Sequence, residues 1–590
     1  MRQYRSPGEV KIAPTDNALS ALLVRADTRP DAPTLAYRDG DRFVDVSTRD
    51  AVDRINRIAA ALVEAGIRPG DRVAVFSATR LEYTVVQFAI WAVGAVLVTI
   101  YETSSPEQVE WIMSDSGSVA LFCENEQLRS VYDEVSADLA ACEHVFVIED
   151  AGFGTLGATA GESARAEVRR RTAGISHEDL AMLIYTSGTT GRPKGCELTH
   201  YNFIFTVRNV VSTLPDLFKA ENSTLVFLPL AHSFAQVVQV ACIAAGVKIG
   251  YSTGMKNLVE EFSLFRPRWV FSVPRVFEKV YNAAKQKADA EGKGRIFDAA
   301  AKVAIDYSSQ EAPELQTRLL HAFFDRLVYK KIRDVFGGNL IYAISGAAAL
   351  GERLGHFFKG IGLTVLEGYG LTETTAATFF NRPDSIRIGT VGRPTPGMAV
   401  AIADDGEILL KGGCVFRGYW NNETATAEAI DSDGWFHTGD VGDLDDDGYL
   451  RITGRKKEIL VTTGGKNVAP SVLEDRLRAH PLVSQCMVVG DAKPFIAALI
   501  TLDPETVAVW AEQRGKPEAG LSDDPELVAE IEAAVAEANK AVSKAESIRQ
   551  FRILPADFTI GSGELTPTLK VKRSFVGKKY GHIIDDIYGS

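Results

Sequence analysis

The run YTSGTTGRPKG, Tyr185 to Gly195, gathers the groups that hold an oligophosphate. Its three glycines let backbone N–H groups turn toward an anion. Thr186, Ser187, Thr189 and Thr190 add hydroxyl donors and Lys194 adds a charge, with Gly188 and Gly191 between them. The run follows DLAMLIY, which reads as a buried strand, and a helix with Phe203, Val207 and Val210 on one face is expected from Thr199. It is not a Walker A loop, because G-x-x-x-x-G-K from Gly188 needs glycine where Pro193 stands. Gly152 to Gly157 satisfies G-x-G-x-x-G but continues into ATAGESA, which suits a surface loop rather than the helix that a dinucleotide site needs. The nine histidines lack metal-binding spacing. The chemistry legible at this level is polyphosphate binding.

The elements that must position this loop alternate along the chain. Apolar runs at 72–78, 119–124, 144–150, 224–230 and 268–274 read as buried strands, and Arg49 to Ala65 repeats apolar residues at helical spacing. Such alternation predicts an α/β fold of layered helices and largely parallel sheets. Near residue 400 the texture changes to short strands joined by DDGE and DDDG turns. A small α+β module is expected after Arg455, with an amphipathic helix over 525–548 that shares Leu527, Ile531, Val535 and Val542 on one face. The division is placed at 1–454 for the body and 455–590 for a smaller lid.

Composition narrows the function classes. A chain of 590 residues exceeds one ordinary domain of ~100–200 residues. Lys and Arg total 64 against 77 Asp and Glu, a net charge of −13, which argues against a bulk electrostatic grip on nucleic acid. Six scattered cysteines without a C-x-x-C pair suit a reducing cytosol. The stretch from Thr84 to Ile100 falls short of the ~20 apolar residues of a span, and Gln87 and Gly94 interrupt it. A buried helix running into a strand is expected there, in a soluble, cytoplasmic chain.

Motifs beyond the loop carry a resemblance. Leu228 to Phe234 (LPLAHSF), Ser345 to Leu350 (SGAAAL), Glu367 to Thr374 (EGYGLTET), Gly418 to Asn421 (GYWN), Trp435 to Asp440 (WFHTGD), Gly454 to Glu458 (GRKKE), Gly464 to Asn467 (GGKN) and Thr566 to Arg573 (TPTLKVKR) follow one another in order. The sequence is identified by them as a member of the adenylate-forming superfamily. Within it, the block at 433–460 and the segment Pro267 to Tyr281, with its VPRVFEK, most resemble long-chain fatty acyl-CoA synthetases. Ala349 and the pair Ala235-Gln236 depart from the pattern and bear on chain-length preference.

The resemblance implies ATP-dependent formation of acyl-AMP, release of pyrophosphate and transfer to coenzyme A. Thr186 to Lys194 would hold the β- and γ-phosphates, Thr372 would contact the α-phosphate and Glu373 would bind Mg²⁺. Tyr369 would face the adenine, with Gly346, Ala347, Glu367 and Gly368 at its edge. Asp440 would take the ribose hydroxyls, with Arg455 in support. His232 would stand at the carboxylate end of an acyl pocket lined by Phe234, Val237, Val238 and Val273. Lys570 would bridge carboxylate and α-phosphate, with Lys572 and Arg573 as sequence rivals. A lid swing about 455–457 would bring Gly464, Gly465 and Lys466 to the pantetheine and nucleotide of coenzyme A. Fatty acids of about C12 to C18 are the expected substrates, since each buried methylene adds ~0.8 kcal/mol. The competing readings are a fatty acyl-AMP ligase that loads a carrier protein and a nucleotide-binding regulator without catalysis. Peripheral membrane association and a dimeric state stay open.

Overall fold

The apolar runs assemble into two large sheets, seen in a computed structural model that describes residues 2–186, 192–517, 520–566 and 569–589. In the first, five parallel strands run in the order His144–Val147, Ala120–Cys123, Arg72–Phe76, Val96–Ile100 and Leu180–Thr186, with Lys194–Thr199 antiparallel at the edge. The second has nine strands. Its six central ones are parallel (Thr364–Leu371, Tyr342–Ser345, Trp269–Ser272, Ser223–Val226, Lys248–Tyr251 and Pro33–Asp39), and antiparallel pairs close both ends.

The principal core joins the two sheets through helices that are apolar on every face. Leu81–Ala92 and Ser233–Ala245 are buried along nearly their whole length. That accounts for the near-continuous hydrophobicity of 84–100, which divides into the first of these helices and the strand Val96–Ile100. Among the described residues, no helix is long and apolar enough to cross a membrane.

The change of texture near 400 marks an antiparallel sheet of Arg2–Arg5, Ala399–Ile402, Glu407–Lys411, Phe436–Leu444 and Leu450–Arg455. In the exposed acidic turn that follows Phe436–Leu444, Arg387 holds Asp445 and Asp447.

Past Arg455 the chain forms a three-stranded sheet (Val483–Val489, Ile496–Leu502, Ile548–Ile553) covered by helices. Two apolar clusters belong wholly to this part, and none of the body's clusters reaches beyond Ile452. Its long helix is shorter than expected. It ends at Asn539, whose side chain turns back to bond the Ile548 backbone, so Val542 packs on the core from the loop beyond.

Polar side chains join the two parts. Arg275, in the first turn of Pro274–Ala290, donates to Ser484 Oγ at 3.2 Å and to Asp503 Oδ2 at 3.5 Å. One face of the same helix brings Gln286 to Thr506.

Trp91 fixes the strand that leads to the phosphate loop. Its indole N–H donates to the Ala181 carbonyl at 2.7 Å, and its ring meets His200 and Phe203 edge-on. Trp91→Phe leaves that buried carbonyl without the indole donor, at a cost of about 1–2 kcal/mol. Calorimetry should show an apparent Tm lowered by roughly 1–2 °C; an unchanged Tm would show that the indole bond contributes nothing.

Candidate active site

The helix expected from Thr199 is present, with a strand between it and the loop. Thr186 pairs across to Lys194, and Lys194–Thr199 runs back beside Leu180–Thr186 before Thr199 caps the helix His200–Thr213. Ser187, Gly188, Thr189, Thr190 and Gly191 lie outside the described residues.

Residues distant in sequence clamp the base of the hairpin. Tyr185 donates to Asp115 Oδ2 at 2.6 Å, and Trp111 donates to the Pro193 carbonyl at 2.8 Å. Trp420 bonds the Asp115 carbonyl through its indole and the Gly195 carbonyl through its backbone. Trp111 and Asp115 carry no motif; only the assembled sheet reveals them. Lys194 lies 4.9 Å from the ring centre of Tyr419, whose hydroxyl donates to Glu373 Oε1 at 2.9 Å. Lys194, Tyr419 and Glu373 thus form one chain of contacts.

Glu373 stands in a single turn after Thr364–Leu371. That turn is followed by Thr375 and Ala376, both with left-handed φ (+50° and +67°). Gly370 makes the sharp return possible, because a Cβ there would fall 1.9 Å from the Ala376 carbonyl oxygen. The return brings Thr372 Oγ1 within 3.3 Å of Ser233 Oγ, the first residue after His232. His232 Nδ1 accepts from the Phe234 N–H at 3.1 Å, so the proton of the neutral ring sits on Nε2. Burial, then the Lys570 charge, pushes its pKa down to about 4, and the ring is neutral at pH 7.

Tyr369, Asp440 and Arg455 come together. The Tyr369 hydroxyl donates to Asp440 Oδ2 at 2.6 Å, and Arg455 Nε lies 3.0 Å from Asp440 Oδ1. The residues expected at the adenine edge adjoin them on neighbouring strands. Ala347 adopts a left-handed φ of +70°, and Gly346 N–H bonds the Ser272 carbonyl. Glu367 Oε1 accepts from Leu350 N–H at 2.9 Å, tying the SGAAAL turn to the strand that leads to Gly368. Burial pushes the Glu367 carboxyl up to about 7. Of the departures from the family pattern, Ala349 is exposed on this turn, while Gln236 is buried and donates to the Leu230 carbonyl. The four apolar residues expected to line one pocket divide. Phe234, Val237 and Val238 belong to the core between the sheets, and Val273 packs on a second cluster.

Lys570 reaches this cleft from the far part of the chain. It closes a turn in which Thr566 and Lys570 bond each other's backbone and Leu569 adopts a φ of +62°. Lys570 is an exposed residue whose ammonium lies within the field of the cleft charges. Desolvation, then the Arg455 charge, lowers its pKa below the ordinary 10.5, while Asp440, Glu458 and Glu373 act in the opposite sense. Its rival Arg573 is engaged elsewhere, on Glu474 and Glu458.

Gly464, Gly465 and Lys466 are not brought to the cleft. They form an exposed turn bonded to Thr462, and Lys466 pairs with Glu546 at 3.4 Å. Gly465 alone carries the left-handed φ, +74°. Among the described residues, no cluster of three or more acidic, histidine or cysteine side chains forms a metal cage. A cation would be shared between Glu373 and ligand oxygens, an arrangement that suits Mg²⁺.

Comparison with known proteins places the chain in a family. The AMP-binding enzyme family matches residues 22–420, and the AMP-binding enzyme C-terminal domain matches 457–590. The long-chain-fatty-acid–CoA ligase FadD15 of Mycobacterium bovis is 50% identical over 602 aligned residues, covering all of both chains. Among solved structures, the adenylation domain of a carboxylate reductase from Mycobacterium chelonae superposes with a TM-score of 0.77 at 22% identity, covering 98% of this chain and 92% of that one. The anthranilate CoA ligase AuaEII, in complex with anthranoyl-AMP, does so with 0.72 at 22% identity, covering 96% and 98%.

The charges around Lys570 fix the sign of a titration. Its ammonium should lose its proton below pH 10.5, and Arg455→Gln should move that titration upward by removing the strongest repulsive charge. NMR of the reductively methylated lysine reads both values. A titration at the ordinary value, unmoved by the substitution, would place Lys570 outside the field of this cleft.

Proposed function

The chain belongs to the AMP-binding enzyme family, and we propose that it joins a long-chain fatty acid to coenzyme A through an acyl-AMP intermediate. The reading rests on one observation above others: Lys570 shares a cleft with Glu373, Asp440 and Arg455 in a chain matched end to end by a long-chain-fatty-acid–CoA ligase.

The first half-reaction brings two anions together. A carboxylate oxygen attacks the α-phosphorus of ATP, a P–O bond forms, and the bond to pyrophosphate breaks. Positive charge and N–H donors must offset the repulsion as that bond forms. In this reading Thr186 to Lys194 hold the β- and γ-phosphates, and Thr372 meets the α-phosphate. Lys570 lies between carboxylate and phosphate, a compact charge with three donors. Glu373 would hold Mg²⁺ together with phosphate oxygens, and the bound ion supplies further charge neutralisation. His232, neutral and with its proton on Nε2, can donate to the carboxylate end without adding a charge. Asp440 has about four lone-pair directions, so it can accept ribose hydroxyls while keeping Tyr369 and Arg455.

The second half-reaction needs another face of the lid. We place the joint at Arg455–Lys457, between a body of residues 1–454 and a lid of 455–590. Rotation there would withdraw Lys570 and bring Gly464, Gly465 and Lys466 to the cleft. The thiolate sulfur of coenzyme A then attacks the acyl carbonyl, and AMP leaves. The present arrangement corresponds to the first half-reaction, with Arg275 and Gln286 as the polar latch that holds it.

Pyrophosphate release over a series of straight-chain acids, run with and without coenzyme A, tests the proposal directly. Turnover should be highest at about C12 to C18 and should yield acyl-CoA, since ~0.8 kcal/mol accrues per buried methylene. A maximum at acetate, an aromatic acid or an amino acid would refute the substrate class. Accumulation of acyl-AMP without thioester would favour transfer to a carrier protein.

The two lid faces predict opposite losses in single-turnover assays. Lys570→Ala should abolish acyl-AMP formation yet spare thioester formation from supplied acyl-AMP. Arg275→Ala should slow the first step by about tenfold, equivalent to ~1.4 kcal/mol of lost latch energy, and leave the second untouched. Gly464→Leu should do the reverse, with an unchanged Tm because its φ is not left-handed and only Thr462 Oγ1, 3.8 Å away, meets an added Cβ. Equal losses in both steps for all three variants would contradict the rotation.

A further inference from the structure

The motif Gly418 to Asn421 (GYWN) has no assigned part in the proposed reaction, yet it lies between two residues that do. It runs beside the returning strand Lys194–Thr199. Glu197 N–H bonds the Gly418 carbonyl, Tyr419 bridges to Cys196, and Trp420 N–H bonds the Gly195 carbonyl. Tyr419 N–H donates to Thr426 Oγ1 at 2.8 Å, and its ring meets Phe416 edge-on with centres 4.8 Å apart. Phe416 N–H in turn bonds the Glu373 carbonyl at 2.8 Å. Half-buried Tyr419 is thus fixed, backbone and ring, between the strand that carries Lys194 and the turn that carries Glu373.

Its side chain serves those two charges through different parts. The hydroxyl donates to Glu373 Oε1 at 2.9 Å, which engages one carboxylate oxygen and leaves the lone pairs of the other for a ligand. The face of the ring lies 4.9 Å from Lys194 Nζ, within the range of a cation–π contact. Among the described residues, neither Lys194 nor Glu373 closes an ion pair, so one side chain supports both charges without cancelling either. Packing on Phe416 alone would be met equally well by phenylalanine; the hydroxyl answers to the carboxylate. We propose that Tyr419 is a positioning residue: its hydroxyl aims Glu373 at a divalent cation, and its ring places Lys194 for the phosphates. The inference rests on the reading of Glu373 as a cation ligand and Lys194 as a phosphate ligand. A carboxylate that must share a cation with ligand oxygens gives up rotamer freedom on binding. A bond that orients it beforehand removes part of that loss, as partners of ligating carboxylates generally do.

The test measures binding rather than turnover. Mn²⁺, which accepts the same oxygen ligands, is titrated into the full chain with α,β-methylene-ATP, and free ion is read by electron paramagnetic resonance. Calorimetry in EDTA gives the affinity for the analogue without metal. Tyr419→Phe keeps the ring and loses the hydroxyl. It should weaken Mn²⁺ in the ternary complex by about tenfold and leave metal-free analogue binding within about twofold. Tyr419→Leu should also weaken metal-free binding, by about fivefold, because Lys194 loses the ring face. Glu373→Gln should weaken Mn²⁺ at least as much as Tyr419→Phe, and combining the two should cost no more than about twofold further. That non-additivity is the mark of a hydroxyl acting through the carboxylate, and a merely structural tyrosine would give independent losses. Unchanged Mn²⁺ affinity in Tyr419→Phe beside a weakened Glu373→Gln would overturn the positioning role while leaving Glu373 its own. Unchanged affinity in Glu373→Gln would overturn the reading of Glu373 and this inference with it. Additive losses in the double variant, or metal-free binding as strong in Tyr419→Leu as in Tyr419→Phe, would contradict the proposal.

Discussion

Asp440 is the residue on which the cleft depends. It is nearly buried, and an ionised carboxylate in that position is costly unless both oxygens are engaged. Tyr369 from the large sheet satisfies one oxygen, and Arg455 faces the other from the last residue of the body's antiparallel sheet. One carboxylate thus couples the strand expected to carry the adenine, the strand expected to meet the ribose and the joint to the lid. The Lys570 ammonium feels both Asp440 and Arg455. Nucleotide, lid orientation and the charge on Lys570 therefore share one electrostatic network in the proposed reaction.

The contact between the two parts has the character such a joint needs. Apolar clusters stop on either side of it, and the bridging groups on the body's long helix, Arg275 and Gln286, are polar. Polar pairs can be exchanged for water at small net cost, whereas a shared apolar core would tie the lid to one place.

The sequence was most readable where chemistry is local. The hydroxyl- and glycine-rich run, the buried strand before it and the change of texture near 400 all followed from spacing, and the parallel layers followed from alternation. Long-range register was not readable. Nothing near Thr186 announces that Lys194 pairs with it in a hairpin, and Asp115 bonds Trp420 across 305 residues. Two adjacent glycines do not reveal which one takes the left-handed φ; backbone geometry assigns it to Gly465. Val542 keeps helical spacing with Val535, yet Asn539 ends the helix by bonding the next strand. Arg275 belonged to a segment read only for resemblance, and its part appears only when the lid is in place.

The central claim, that one lid serves two half-reactions in two orientations, is tested most directly by an interdomain distance. Fluorophores on Lys302→Cys in the body and Glu512→Cys in the lid, both exposed positions, report it by single-molecule energy transfer. With ATP and a non-reactive acid analogue, the distance should be the one in the present arrangement. With acyl-AMP and a non-reactive coenzyme A analogue, a second distance should become the main population. A single distance under every condition would contradict the account.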